Sequence, residues 1–206
     1  SAGDVIPADA LLLATGFDLF PAEKKEEYGY GIYDNVITSA ELERMLGKEG
    51  PVVTPSGKSP ERVAFIHCVG SRDEKAGNLY CSKVCCVTGV KQAMAVRERN
   101  PGCEVICFYM DLRMFDRHYE ELYYEAQQAS RVNFIRGRLS ECAEHPDHTL
   151  VIKTEDTLTG RPLKMTADLV VLLTGFVPCA ATGPVAGSAG LSAGADGFLD
   201  PVDLQL

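Results

Sequence analysis

The chain alternates between short, nearly unbroken apolar runs and longer stretches with helical periodicity. Asp9-Ala-Leu-Leu-Leu-Ala-Thr-Gly16 is a continuous apolar run ending in Thr-Gly, which predicts a strand buried on both faces. The same phrase returns as Asp168-Leu-Val-Val-Leu-Leu-Thr-Gly175, followed by Phe176-Val-Pro178. Between the two, the pattern predicts a strand over 62–68, a helix over 82–99 and a strand over 103–110. A helix over 118–129 and a strand over 132–136 follow. Residues 149–154 and 162–165 flank the turn-forming Thr159-Gly160 and read as a hairpin. Strand, helix, strand, helix, strand is the order of a parallel sheet with crossover helices, so the fold class is α/β.

These patterns divide the chain into residues 1–20, a connector over 21–60 with one short helix at Ser39–Leu46, a central body over 61–166, and 167–206. The connector holds the charged run Glu23-Lys-Lys-Glu-Glu27. No apolar run is long enough to span a bilayer, and no signal peptide opens the chain, so a cytoplasmic protein is expected. With 20 Lys+Arg against 29 Asp+Glu in 206 residues, the net charge is −9. An acidic chain without a basic run is a poor binder of phosphate backbones or anionic lipid, which sets aside nucleic acid and membrane partners.

Cysteine changes the picture. Of the 8 cysteines, Cys68, Cys81, Cys85 and Cys86 crowd into one stretch, whereas Cys103, Cys107, Cys142 and Cys179 are scattered and read as small core hydrophobes. Cys68 ends a predicted strand, and the other three open the helix that follows, with positions 81 and 85 on one helical face. Helix-start amides and Lys83 would favour thiolates there. Four thiolates from two elements suit an iron–sulfur cluster or an all-cysteine zinc site, with thiol redox chemistry and plain packing as further readings. His67 is expected on the sheet face opposite Cys68, as a satisfied core histidine. The turn Val69-Gly-Ser-Arg-Asp73 stands where a dinucleotide site would carry Gly-x-Gly-x-x-Gly, but only one of those glycines is present, so a plain loop is expected. Asp111 reads as a cap for the next helix, His145-Pro-Asp-His148 as an exposed turn, and Lys91 as an ordinary solvated lysine.

The run Phe65-Ile-His-Cys-Val-Gly-Ser-Arg-Asp73, followed by Tyr80-Cys-Ser-Lys-Val-Cys-Cys86, resembles the A subunit of heterodisulfide reductase. Lys91-Gln-Ala93, Tyr109-Met-Asp-Leu-Arg113, Tyr119-Glu-Glu121, Phe134-Ile-Arg-Gly-Arg138 and Asp168-Leu-Val-Val171 extend the resemblance along nearly the whole chain. The A subunit of quinone-interacting membrane-bound oxidoreductase complexes is similar in the same residues. The resemblance implies a Rossmann-like, nicotinamide-type domain of a thioredoxin-reductase-like flavoprotein, flanked by crossover strands of its FAD domain. It implies a [4Fe–4S] cluster on Cys68, Cys81, Cys85 and Cys86, and Lys91 approaching the flavin. Thr15, Gly16 and Gly175 would line the FAD site. The implied activity is electron transfer between flavin and the other subunits of such a complex, with pairing to a second copy left open. The Gly-rich FAD strand and the ferredoxin-type cysteine repeats of that family are not in these 206 residues, so a piece of a longer polypeptide is expected, inactive by itself.

Overall fold

The computed structural model describes residues 7–200, which fall into two compact units. Of the described residues, the first unit combines 7–19 and 176–200, and the second is Phe20–Gly175.

In the first unit, strand β1 (Phe17–Leu19) pairs antiparallel with β10 (Phe176–Pro178), and the rings of Phe17 and Phe176 stack at 3.6 Å. A short helix, α4 (Thr182–Ser188), follows β10. The strand expected over 9–16 does not form. Leu11 and Leu12 are exposed, and no strand among the described residues runs beside them to satisfy their backbone groups.

The second unit is built on five parallel strands: β2 (Val36–Thr38), β3 (Arg62–Val69), β4 (Glu104–Tyr109), β5 (Asn133–Arg136) and β9 (Leu169–Thr174). They lie in the order β2-β9-β3-β4-β5. Residues 21–60 therefore contribute the edge strand β2, and with it helix α1 (Ser39–Leu46). Thr38 starts α1 with a capping box, its hydroxyl accepting from the Glu41 N–H while the Glu41 carboxylate accepts from the Thr38 N–H. Helices α2 (Cys85–Arg99) and α3 (Tyr119–Gln128) make the crossovers. An antiparallel meander of β6 (Leu139–Glu144), β7 (Leu150–Asp156) and β8 (Arg161–Ala167) precedes β9. The hairpin expected at Thr159-Gly160 is β7–β8; β6 is an addition to the expected elements.

Strand periodicity decides what each face covers. Odd-numbered residues Val63, Phe65, Val105, Cys107, Leu169, Val171 and Leu173 pack with Leu42, Val90, Ala93, Val96 and Ala126 of the helices. Even-numbered Ala64, Ile66, Ile106, Phe108, Val170 and Leu172 pack with Leu139, Cys142, Leu150 and Ile152 of the meander. The sheet is thus covered on both faces, which explains why β3 and β9 are almost continuously apolar. No helix of the described residues is long and apolar enough to cross a membrane.

Candidate metal centre

The alternation along β3 breaks at one place. Ile66 pairs with Leu172 and Val69 with Thr174, so β3 carries one more residue than β9 over this step. The extra residue is a β-bulge. His67 keeps the odd-residue direction, its ring lying against Gly89 of α2, yet Val69 falls into the meander-side core that even residues had occupied. Cys68, at φ +59, is the residue between. The bulge turns its thiol to the helix side, where it is hydrogen-bonded with that of Cys85. His67 and Cys68 therefore serve the same side of the sheet, contrary to the plain-strand expectation. His67 is buried, and neither ring nitrogen makes a hydrogen bond of ordinary length; its ring acts on the Cys86 thiol instead, so it is not the satisfied core histidine expected.

Cys85 and Cys86 open α2, as expected, but Cys81 does not share their helix. Lys83 has φ +63, a left-handed conformation that a right-handed helix cannot contain, and α2 begins only at Cys85. Positions 81 and 85 therefore do not share a helical face, contrary to expectation. Cys81 instead sits half-buried on the loop over 70–84, its sulfur accepting the Lys83 N–H at 3.3 Å. Lys83 assists this thiol through its backbone.

Cys68, Cys85 and Cys86 are all buried. Cys85 stands in the middle: contacts with Cys68 and Cys86, reinforced by burial, push its thiol up. The two outer thiols move the other way. The Cys85 hydrogen bond lowers Cys68 against the cost of burial, and Arg72 adds to it. The same donor lowers Cys86, again against burial, with help from His67 and the Arg113 N–H. The Cys86 sulfur lies 3.4 Å from that N–H. Arg72, at φ +53, bonds Asp111 at 2.7 Å through Nη2, and Asp111 also takes Arg136 at 3.2 Å. Asp111 is thus an anchor for two guanidinium groups rather than a helix cap.

The cysteine loop is stapled down by charge. Asp73, 1% exposed, pairs with Lys25 at 2.9 Å and with Arg138, and Lys25 pairs with Glu27 at 2.7 Å. The Asp73 and Asn78 backbones pair across the loop, and the Asn78 side chain donates to the Gly70 carbonyl at 2.9 Å. Gly175 is part of this packing. A Cβ there would lie 2.6 Å from the Ser71 Cβ and 3.0 Å from the Ser82 hydroxyl, so the glycine lets the end of β9 close on the loop.

The other predicted residues lie each within its own unit. Thr15 shares a hydroxyl–hydroxyl bond of 3.0 Å with Thr182, and Gly16 has φ +72 with open space around it. Both lie in the first unit, whereas Gly175 lies in the second. Lys91 is exposed on α2, about one and a half turns beyond Cys86. Of the scattered cysteines, Cys103, Cys107 and Cys142 are buried, and burial pushes their thiols up, to about 11 for Cys103 and about 12 for Cys142. His145 and His148 occupy an exposed turn. Among the described residues, no three His, Cys, Asp or Glu side chains converge as they would around a single metal ion. Sequence reasoning missed His67 and Arg72 as members of the site; their closeness to Cys68 was the available signal, but the bulge that aims them was not legible.

The residues present fit a thiolate-bound cluster. Two thiols whose neighbours favour the thiolate, a third in contact with both, and the buried nitrogens of His67 and Arg72 beside them form a polar cluster in an otherwise apolar layer.

No protein-family model matches the chain. Its fold is that of the thioredoxin-reductase-like flavoprotein class. The thioredoxin reductases of T. acidophilum and Lactococcus lactis superpose with TM-scores of 0.52 and 0.54 at 14% identity. Those matches cover 89% and 91% of this chain and 49% and 50% of theirs. By sequence the chain is a relative of the heterodisulfide reductase A subunits. It is 46% identical over 199 residues to the A subunit of the H(2):CoB-CoM heterodisulfide,ferredoxin reductase of Methanothermobacter thermautotrophicus, covering 94% of this chain and 30% of that protein. It is 48% identical to an iron–sulfur A subunit of the CoB–CoM heterodisulfide reductase of Methanopyrus kandleri, covering 95% of this chain and 31% of that protein. The chain spans about a third of the length of these relatives.

Proposed function

We propose that this chain is the cluster-bearing segment of an FAD and iron–sulfur oxidoreductase that passes electrons between flavin and partner subunits, the parent reaction being reduction of a disulfide or similar acceptor. The observation that carries the reading is the meeting of Cys68, from a strand bulge, with Cys85 and Cys86 at a helix start, with Cys81 on the loop joining them.

In this reading Cys68, Cys81, Cys85 and Cys86 hold a [4Fe–4S] cluster, which supplies one-electron transfer when bound. The chain's own residues do the rest. Arg72 and the Arg113 N–H stabilise negative charge on sulfur, and the apolar sheet layer excludes water. Thr15, Gly16 and Gly175 belong to the flavin side of the longer protein, with Lys91 as its cationic group. The names of the relatives, which are subunits of reductases acting on a heterodisulfide, support this assignment.

Anaerobic reconstitution with iron and sulfide tests it, comparing wild type with single Cys→Ala variants at 68, 81, 85 and 86. About four irons and four sulfides per chain are expected, with thiolate-to-iron absorption near roughly 400 nm that each substitution diminishes. A Cys68→Ala chain that assembles an unchanged cluster would overturn the ligand set. One tightly held zinc per chain in place of iron would favour a metal-stabilised docking module.

A further inference from the structure

His67 and Arg72 leave nitrogen atoms buried beside the thiols. Both ring nitrogens of His67 and Nη1 of Arg72 are shielded from solvent and make no hydrogen bond of ordinary length, although the His67 ring acts on the Cys86 thiol and Arg72 on that of Cys68. A buried, poorly met donor is unfavourable, and at least one of the two imidazole nitrogens always carries a hydrogen.

Their orientation is fixed by other contacts. The His67 ring is held against α2 where Gly89 leaves room: a Cβ there would lie 2.8 Å from ring Cε1, 3.0 Å from Nε2 and 2.5 Å from a Leu173 methyl. On this side the ring reaches Cys86. Arg72 is locked through Nη2 to Asp111 at 2.7 Å, which leaves Nη1 for Cys68. The donors thus approach the sulfur set at two different thiols.

We propose that His67 and Arg72 are positioning residues of the centre, donating N–H···S hydrogen bonds to Cys86 and Cys68 when the cluster is bound. The inference rests on the cluster reading above and deepens it by assigning what sets the cluster's potential. Donors and positive charge near the sulfurs favour the reduced, more negative state and so raise the reduction potential. A glutamine side chain carries an N–H donor of similar reach, so it can take the place of the imidazole.

The test is a redox titration of the anaerobically reconstituted chain, followed by visible absorption, for wild type, His67→Leu, His67→Gln and Arg72→Met. Iron and sulfide content is measured on every sample. At wild-type cluster content, His67→Leu and Arg72→Met should lower the reduced-to-oxidised ratio at a fixed potential roughly tenfold, about 59 mV for a one-electron couple. His67→Gln should restore most of the difference. Unchanged potentials in both His67→Leu and Arg72→Met at full cluster content would overturn this inference and leave the cluster reading standing. A wild-type chain that takes up no iron overturns the cluster reading itself, and this inference with it. If His67→Leu does not fold, Arg72→Met and His67→Gln decide: a lowered potential in the first with a near wild-type value in the second supports the assignment, and an unchanged value in the first overturns it.

Discussion

The Cys68 thiol reaches that of Cys85 because β3 carries one residue more than its neighbour β9 between Ile66 and Val69. In a regular strand, Cys68 would have followed the even-numbered residues toward the meander. The bulge reverses that direction for a single side chain while the odd and even sets on both sides of the sheet stay packed. Gathering of the site and continuity of the core are thus reconciled by one inserted residue.

Gly175→Ala should destabilise the protein by about 1–3 kcal/mol, the usual cost of overpacking, because the new methyl would meet the Ser71 Cβ at 2.6 Å. Chemical denaturation measures the loss. The same variant should take up less iron on reconstitution, since Ser71 and Ser82 lie on the cysteine loop. Wild-type stability would show that the loop gives way freely.

Asp73→Asn should cost about 3 kcal/mol at neutral pH, near the low end for breaking a buried pair, since Glu27 remains on Lys25. Burial raises the Asp73 carboxyl, but the Lys25 hydrogen bond and the charges of Arg138 and Lys25 outweigh it and hold the carboxyl below its ordinary value. A depressed folded pKa gives stability that is present above the unfolded value of about 3.9 and is lost as pH falls through the folded one. The gap between wild type and variant should therefore narrow below about pH 4. A gap that stays constant as the pH falls well below the unfolded value of about 3.9 would remove the ion network as its cause.

Asn100→Ala should cost about 2–4 kcal/mol, being a double loss of buried hydrogen bonds. The Asn100 amide accepts the Val52 N–H at 2.9 Å and donates to the Val52 carbonyl at 3.0 Å, and both residues are buried. Urea unfolding reads this directly, and a change below about 0.5 kcal/mol, the scale of an ordinary surface substitution, would show that water replaces the amide.

Nicotinamide dinucleotides should bind this chain poorly. The turn after β3 has one of the three fingerprint glycines, and Cys85 and Cys86 stand at the helix start where a pyrophosphate would need bare backbone. Isothermal titration with NADH and NADPH checks this; a micromolar dissociation constant would contradict it.

The parallel sheet was legible because β3, β4 and β9 are apolar on both faces and α1, α2 and α3 are punctuated by their caps and breaks. Ser39–Leu46 is the plainest case, with its Thr38 capping box. Strand β6 carries no such signature, because Ser140, Glu141 and Glu144 dilute its pattern and its register shifts between Leu139 and Glu141. The membership of the cysteine set could be read from residue type and spacing, but its geometry could not. Left-handed backbone at Cys68, Arg72 and Lys83 has no signature in residues that are not glycine, and these three positions decide where the thiols and their donors point.

The ion network around Asp73 has a bearing on charge movement. Lys25 and Arg138 face Asp73 and Glu27, so the staple adds little net charge to the surroundings of the cysteines. It acts instead as a clamp on dipoles, because the loop it holds carries Arg72, Cys81 and the Lys83 N–H that meets the Cys81 sulfur. A medium of fixed dipoles relaxes little when an electron arrives or leaves, whereas a mobile loop or water would reorient around each new charge. In a site proposed to pass electrons, that stillness keeps the reorganisation energy small, and the buried ion pairs thereby favour speed as well as stability.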